Sequence, residues 1–265
     1  MNTKVHKGRG AVSSAPGRFA STIVDADEPP ADSAPETVLR AMQSRSIISQ
    51  NRSPDIPFDQ SINPYQGCEH GCVYCYARPS HSYLDLSPGL DFETRIFYKP
   101  DAVSRLLEAW QKPSYECQPI AIGANTDPYQ PAEKKLGITR QLLEAFLEHR
   151  HPVTLITTGT LMARDLDLLG ALAEMNLASV AISMPTMDSG LKRVLEPRVP
   201  AASARFRLIE DLASAGIPVS VLVAPVIPAV NDREIESILE RAAVAGASHA
   251  SWILLRLPHE LKEIF

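Results

Sequence analysis

From Ile56 onward the chain alternates short runs of Val, Ile and Leu with segments whose apolar residues recur every three or four positions. The runs Ile120–Ala124, Val153–Thr158, Ser179–Met184, Val219–Val226 and His249–Leu257 read as strands, with a shorter one near Ser61–Tyr65. Helices are predicted between them. Val103, Leu106, Leu107 and Trp110 form one apolar stripe, with Asp101 placed to cap it. Leu142, Leu143, Phe146 and Leu147 form a second after Thr139, and Leu166, Leu168, Leu169 and Leu172 a third after Arg164. A fourth helix stops at Gly216; a fifth opens with Asn231 and Glu234 at capping-box spacing and ends by Gly246. Strands alternating with helices imply βαβ units and a parallel sheet. Six strands are too few for a complete eightfold barrel, and no glycine-rich dinucleotide loop follows the first. The pattern therefore predicts an α/β fold, a partial (β/α)6 TIM-like barrel, with its functional edge at the C-terminal ends of the strands.

Residues 1–55 have a different texture. Gly8, Gly10, Ser13, Ser14, Pro16 and Gly17 are followed by an acidic, proline-rich patch from Asp25 to Glu36. So few large apolar side chains cannot offset the ordering entropy of the segment. An N-terminal extension, disordered or wrapped on the surface, is expected ahead of a core domain over 56–265. Phe265 falls about one turn into an expected sixth helix, so the core is expected to be truncated at that end.

Composition narrows the class. With 45% hydrophobic and 22% charged residues in 265, fibrous, coiled-coil and wholly disordered readings are excluded. A net charge of −5 offers no global field for nucleic acid, although a local basic groove stays open. The longest apolar run, Val219–Val230, is broken by Pro225 and Pro228, so no membrane span is expected. No apolar segment follows the basic N-terminus, and four unevenly spaced cysteines do not form a disulfide framework. A cytoplasmic, reducing location is expected.

Three of those cysteines carry the chemistry. Cys68, Cys72 and Cys75 lie in NPYQGCEHGCVYCYARP with three and then two residues between them, and Gly67 and Gly71 permit a tight wrap. Clustered thiolates select iron–sulfur clusters, zinc or copper(I). Structural zinc normally takes four ligands, and neither His70, His81 nor the distant Cys117 completes a familiar spacing. Three thiolates can hold three irons of a cubane, leaving the fourth iron open to a small molecule.

The spacing Cys-x-x-x-Cys-x-aromatic-Cys, with Tyr74 as the aromatic, resembles the radical S-adenosylmethionine (SAM) superfamily. The resemblance extends to the branch related to spore photoproduct lyase through Ser53–Pro100, Asn125–Arg140, Leu195–Pro200, Val223–Asp232 and Leu254–Pro258, and through KGRGA from Lys7. It implies a 4Fe–4S cluster on Cys68, Cys72 and Cys75, with SAM on the open iron. Reductive cleavage would then yield a 5′-deoxyadenosyl radical that abstracts hydrogen from a substrate, nucleic acid being one class. An external electron donor such as flavodoxin or ferredoxin is implied as a partner. Tyr74 matches the position beside adenine; Asn125, Thr126, Asp127 and Ser183 match positions that contact SAM, with Asp127 suited to the methionyl ammonium.

Four positions depart from that pattern. Thr158 and Gly159 replace a usual Lys-Ser, Pro185 replaces a usual Thr, and Ala124 stands where the lyase has its hydrogen-donor cysteine. The Thr158 and Gly159 departures leave one alternative standing, an iron–sulfur redox or sensing protein without SAM turnover; a zinc-stabilised interaction module is a second. Glu196 and Arg205 are expected to be solvated near a rim, Arg78 to lie beside the cluster loop, Trp110 in the core, and Cys117 to act as a small hydrophobe.

Overall fold

The computed structural model describes residues 8–12, 14–19, 36–53 and 56–265. Three short strands, β1 (Val38–Ala41), β4 (Tyr65–Gln66) and β5 (Arg95–Tyr98), form a side sheet in the order β1-β5-β4. The other seven form the main sheet. They are β2 (Ile48–Gln50), β3 (Gln60–Ile62), β6 (Ile120–Ile122), β7 (Val153–Thr157), β8 (Ala178–Ser183), β9 (Val219–Val226) and β10 (His249–Leu254). Their order is β10-β9-β8-β7-β6-β3-β2. The six strands from β3 to β10 are parallel and β2 joins antiparallel at the edge, so the barrel is open.

Hydrophobic burial explains the layering. Along β7, β8 and β9 alternate residues are buried, among them Val153, Leu155, Val180, Ile182, Val219, Val221 and Val223. They pack against Leu142, Leu143 and Phe146 of α4 (Ile138–Glu148), Leu169 and Leu172 of α5 (Leu166–Glu174), and Ile209 and Leu212 of α7 (Ala202–Ser214). The intervening Thr154, Ser179, Ala181 and Ser220 face the opposite way and stay half-buried. The sheet therefore has one sealed face and one more open face.

Most elements lie where periodicity places them, but two expected caps do not form. Asp101 precedes α2 (Ala102–Trp110), yet its side chain accepts from Arg105 Nε at 3.2 Å instead of capping an amide. Asn231 and Glu234 make no capping box before α8 (Ile235–Val244). Asn231 Oδ1 accepts from the Ile227 amide at 2.6 Å, and its Nδ2 donates to the carbonyls of Pro185 and Pro225 at 2.8 and 2.9 Å. Glu234 reaches back to Thr186 Oγ1 and the Met187 amide. Both side chains tie the ends of β8 and β9 together, because tertiary polar groups outcompete the local amides. Gly216, at φ 72°, does terminate α7 as expected. Every residue of β10 is exposed, including Trp252 at 63%.

Of the extension expected over 1–55, residues 1–7, 13, 20–35 and 54–55 lie outside the described residues. The remainder lies on the core. β1 pairs with β5, β2 with β3, and residues 8–12 and 14–19 run beside the cysteine loop and the segment that follows it.

Candidate functional site

The cysteine loop leaves β4 at the C-terminal edge of the main sheet. Gly67 and Gly71 take φ of 84° and 69°. A Cβ on Gly67 would lie 2.9 Å from both His81 Cε1 and the Phe92 carbonyl oxygen, so the close packing there requires glycine. The Cys68 amide donates to Phe92 O at 2.9 Å, the Cys75 amide to Cys72 O at 3.3 Å, and the Val73 amide to Leu195 O at 3.0 Å. Cys68 is buried and Cys72 and Cys75 half-buried, all as free thiols; Cys117 is exposed rather than packed as a small hydrophobe. Burial and the neighbouring Cys68 push the Cys75 thiol up to about 11. Among the described residues no three His, Cys, Asp or Glu side chains are arranged to hold one metal ion. A cubane makes no such demand, since each thiolate binds its own iron. Three thiols with no fourth ligand completing the set among the described residues fit a cubane, which takes one thiolate per iron, better than a closed four-ligand zinc site.

Asp127, in the loop after β6, is a structural hub. Its Oδ1 accepts from the Tyr129 amide at 2.8 Å and Thr157 Oγ1 at 2.7 Å; its Oδ2 accepts from the Thr158 amide at 2.7 Å and Thr158 Oγ1 at 2.8 Å. His70 Nδ1 lies 3.4 Å from Oδ2 and 3.0 Å from Thr158 Oγ1. Burial alone would raise the carboxyl pKa, but the His70 charge and these donors bring it down to about 2. The four lone-pair positions of the carboxylate are filled from within the chain.

This arrangement gives a physical reason for the departures at Thr158 and Gly159. Thr158 bridges Asp127 and His70, and a Cβ on Gly159 would sit 2.7 Å from the Tyr129 carbonyl oxygen. A serine at 159 has no room. Thr126 is equally committed, its hydroxyl donating to Tyr65 O at 2.7 Å. Asn125 is held by its amide, which donates to Asn63 Oδ1 at 2.8 Å; among the described residues its side chain has no hydrogen-bond partner.

On the other flank, Tyr74 and Ser183 meet through two residues that sequence reasoning left on the surface. Tyr74 donates to Glu196 Oε1 at 2.5 Å, and Arg205 Nη2 donates to Glu196 Oε2 at 3.0 Å. Arg205 Nη1 donates to the Ser183 carbonyl at 2.8 Å, while Ser183 Oγ donates to Ala224 O at 3.3 Å. Both charged side chains are 0% exposed, so the expected solvated pair is a buried one. Packing of α7 behind the loop after α6 (Ser189–Leu195) encloses it, a placement with no local signature. Arg78, expected beside the loop, is buried and donates from Nε to Cys72 O at 2.9 Å. Trp110 is only partly buried against the core, with its ring stacked on His151 at 4.6 Å.

Glu133 was not singled out by the sequence. Fully buried in α3 (Glu133–Leu136), it accepts from the Tyr65 hydroxyl, the Thr139 amide at 3.0 Å and Arg164 Nη2 at 2.7 Å, tying β4 to α4 and to the segment before α5. Its position inside the PAEKKLGITR run was the available signal.

An uncharacterized protein of Mycobacterium tuberculosis is 38% identical over 195 residues, covering 73% of this chain and 57% of the relative. One from Methanocaldococcus jannaschii is 26% identical over 173 residues, covering 65% and 62%. This chain therefore spans less than two thirds of the length of either relative. Among solved structures, a spore photoproduct lyase mutant with bound SAM and a dinucleoside spore photoproduct superposes with a TM-score of 0.65 at 16% identity, covering 85% of this chain and 64% of that one. SuiB of Streptococcus suis bound to the precursor peptide SuiA gives 0.56 at 15% identity, covering 77% and 41%. Both likenesses establish the open TIM-like barrel fold. With residues 62–242 matching its signature, this chain belongs to the radical SAM superfamily, whose members use a 4Fe–4S cluster and SAM and draw their electron from an external reductant.

Proposed function

We propose that Cys68, Cys72 and Cys75 hold the cluster, that SAM binds across the C-terminal edge of the strands, and that the chain abstracts hydrogen from a substrate of the nucleic-acid class. The observation that carries this reading is the placement of three free thiols on one loop that contacts Ala124 after β6 and Thr158 after β7, and reaches Ser183 at the end of β8 through Glu196 and Arg205. When bound, the cofactors supply reductive cleavage of SAM and the radical that takes the hydrogen. The chain supplies position. Asn125 offers its free side-chain amide, and Ser183 a hydroxyl held only by a 3.3 Å bond. Tyr74 offers a ring face whose orientation Glu196 fixes.

Thr126 and Asp127 act through others in this reading. Thr126 anchors the loop, and Asp127 orients Thr158 and His70 instead of pairing with the methionyl ammonium, because its oxygens are already saturated. The substrate class rests on the lyase likeness, and the net charge of −5 favours a confined lesion or short segment over an extended duplex. A cytoplasmic setting with flavodoxin or ferredoxin as reductant completes the reading.

Anaerobic reconstitution, iron and sulfide analysis and turnover with dithionite test it. The expected product is 5′-deoxyadenosine, first with ultraviolet-damaged DNA as substrate. Iron and sulfide without 5′-deoxyadenosine would leave a redox or sensing protein. Zinc without iron would leave an interaction module.

A further inference from the structure

The Gly8–Ala11 segment has no part in the site as described so far, yet it lies directly behind the cysteine loop. The amides of Gly10 and Ala11 donate to the two carboxylate oxygens of Glu93 at 3.0 and 2.8 Å, and Arg9 Nη1 donates to the Glu93 carbonyl at 2.9 Å. Glu93 also pairs with Arg78 Nη2 at 2.5 Å, both side chains being 0% exposed. Arg78 extends the chain of contacts to Cys72 O through its Nε, and to the carbonyls of Pro88 and Gly89 through Nη1 at 3.2 and 3.0 Å. A buried carboxylate is stable only when charge and hydrogen bonds replace its water, and here two of those bonds come from the N-terminal segment.

Shape agrees with charge. A Cβ on Gly10 would lie 1.8 Å from the Gly71 carbonyl oxygen, and one on Gly71 would lie 2.7 Å from Glu93 Oε2. The two backbones touch with no space for a side chain on either. Farther along, Ser87 Oγ donates to Ala15 O at 2.7 Å and the Arg18 amide to Glu260 Oε1 at 2.8 Å, which anchors the segment beyond the contact.

We propose that residues 8–11 form a strap that holds the backbone of the cysteine loop in its cluster-binding form, with Gly10, Glu93 and Arg78 as positioning residues. This rests on reading Cys68, Cys72 and Cys75 as the cluster ligands. The strap packs against the loop at Gly71 and fixes the Cys72 carbonyl through Glu93 and Arg78, so it slows cluster loss by holding the loop backbone.

Two variants, Gly10→Val and a deletion of residues 1–12, are compared with wild type and with Cys117→Ser as a control outside the loop. After anaerobic reconstitution, the half-life of the cluster absorbance under excess iron chelator is read beside the thermal midpoint and the electron paramagnetic resonance spectrum of the reduced cluster. Loss at least tenfold faster in both variants, with a broadened spectrum and a retained cooperative transition, is the expected result. Half-lives within twofold of wild type in both would overturn the strap. Gly10→Val keeps the test decisive if the deletion prevents folding. A wild-type chain that takes up no iron would overturn the cluster reading instead. The strap is then read from Cys72 alkylation in the apo chain: at least tenfold faster after deletion supports it, and an unchanged rate overturns it.

Discussion

Replacing Arg205 with Met removes the guanidinium from a fully enclosed pair and leaves the Glu196 carboxylate, among the described residues, with the Tyr74 hydroxyl as its hydrogen-bond donor and Lys192 as a nearby charge. The Ser183 carbonyl loses a donor at 2.8 Å as well. Breaking a buried ion pair by removing one partner costs about 3–5 kcal/mol, because the remaining charge keeps its desolvation penalty. For a domain of this size each kcal/mol moves the thermal midpoint by about 2–4 °C, so Arg205→Met is expected to lower it by about 6–20 °C. The double substitution Glu196→Leu/Arg205→Met removes both charges and is expected to recover most of that loss. Circular dichroism melts and urea titrations of wild type, both single variants and the double variant complete the cycle. A cost below about 1 kcal/mol for Arg205→Met would match a solvated pair and refute the enclosed geometry. A double variant as unstable as the singles would show that Arg205 acts through packing.

Further outcomes follow from the same geometry. Ala at Cys68, Cys72 or Cys75 is expected to abolish iron and sulfide uptake on anaerobic reconstitution, whereas Cys117→Ala, at an exposed thiol, is expected to retain both. Gly159→Ser, whose Cβ would meet the Tyr129 carbonyl oxygen at 2.7 Å, is expected to cost about 1–3 kcal/mol in urea unfolding, and an unchanged midpoint would contradict that contact. Asp127, held down to about 2 from an ordinary 3.8, contributes about 2 kcal/mol that is fully present above the unfolded value and lost as pH falls from about 5 towards 2. In the apo chain Asp127→Asn is therefore expected to flatten the pH dependence of stability over that window; a slope unchanged from wild type would remove the His70–Asp127 pairing from the account.

The period-two runs at Val153–Thr157 and Val219–Val226 and the helical stripe of Leu142, Leu143 and Phe146 are local patterns that follow directly from which face must leave water. Six such strands in alternation with helices sufficed for a parallel, open (β/α)6 sheet, and three cysteines in eight residues sufficed to mark the reactive loop. Both are determined by neighbours in the chain, so the amino-acid order alone determines them.

Tertiary structure decided the polar architecture. Glu196 and Arg205 look like surface charges until α7 closes over them, and Asn231 and Glu234 look like a helix cap until β8 and β9 present their ends. Asp127 fits a ligand contact in sequence, yet folding fills its oxygens with Tyr129, Thr157 and Thr158. Gly10 and Gly71 are 61 positions apart, and nothing local records that their backbones meet. Hydrophobic periodicity is written along the chain because burial of a face repeats with each turn or pleat. A buried polar group is satisfied by whichever partner the fold brings to it, and that partner is set by packing between distant segments.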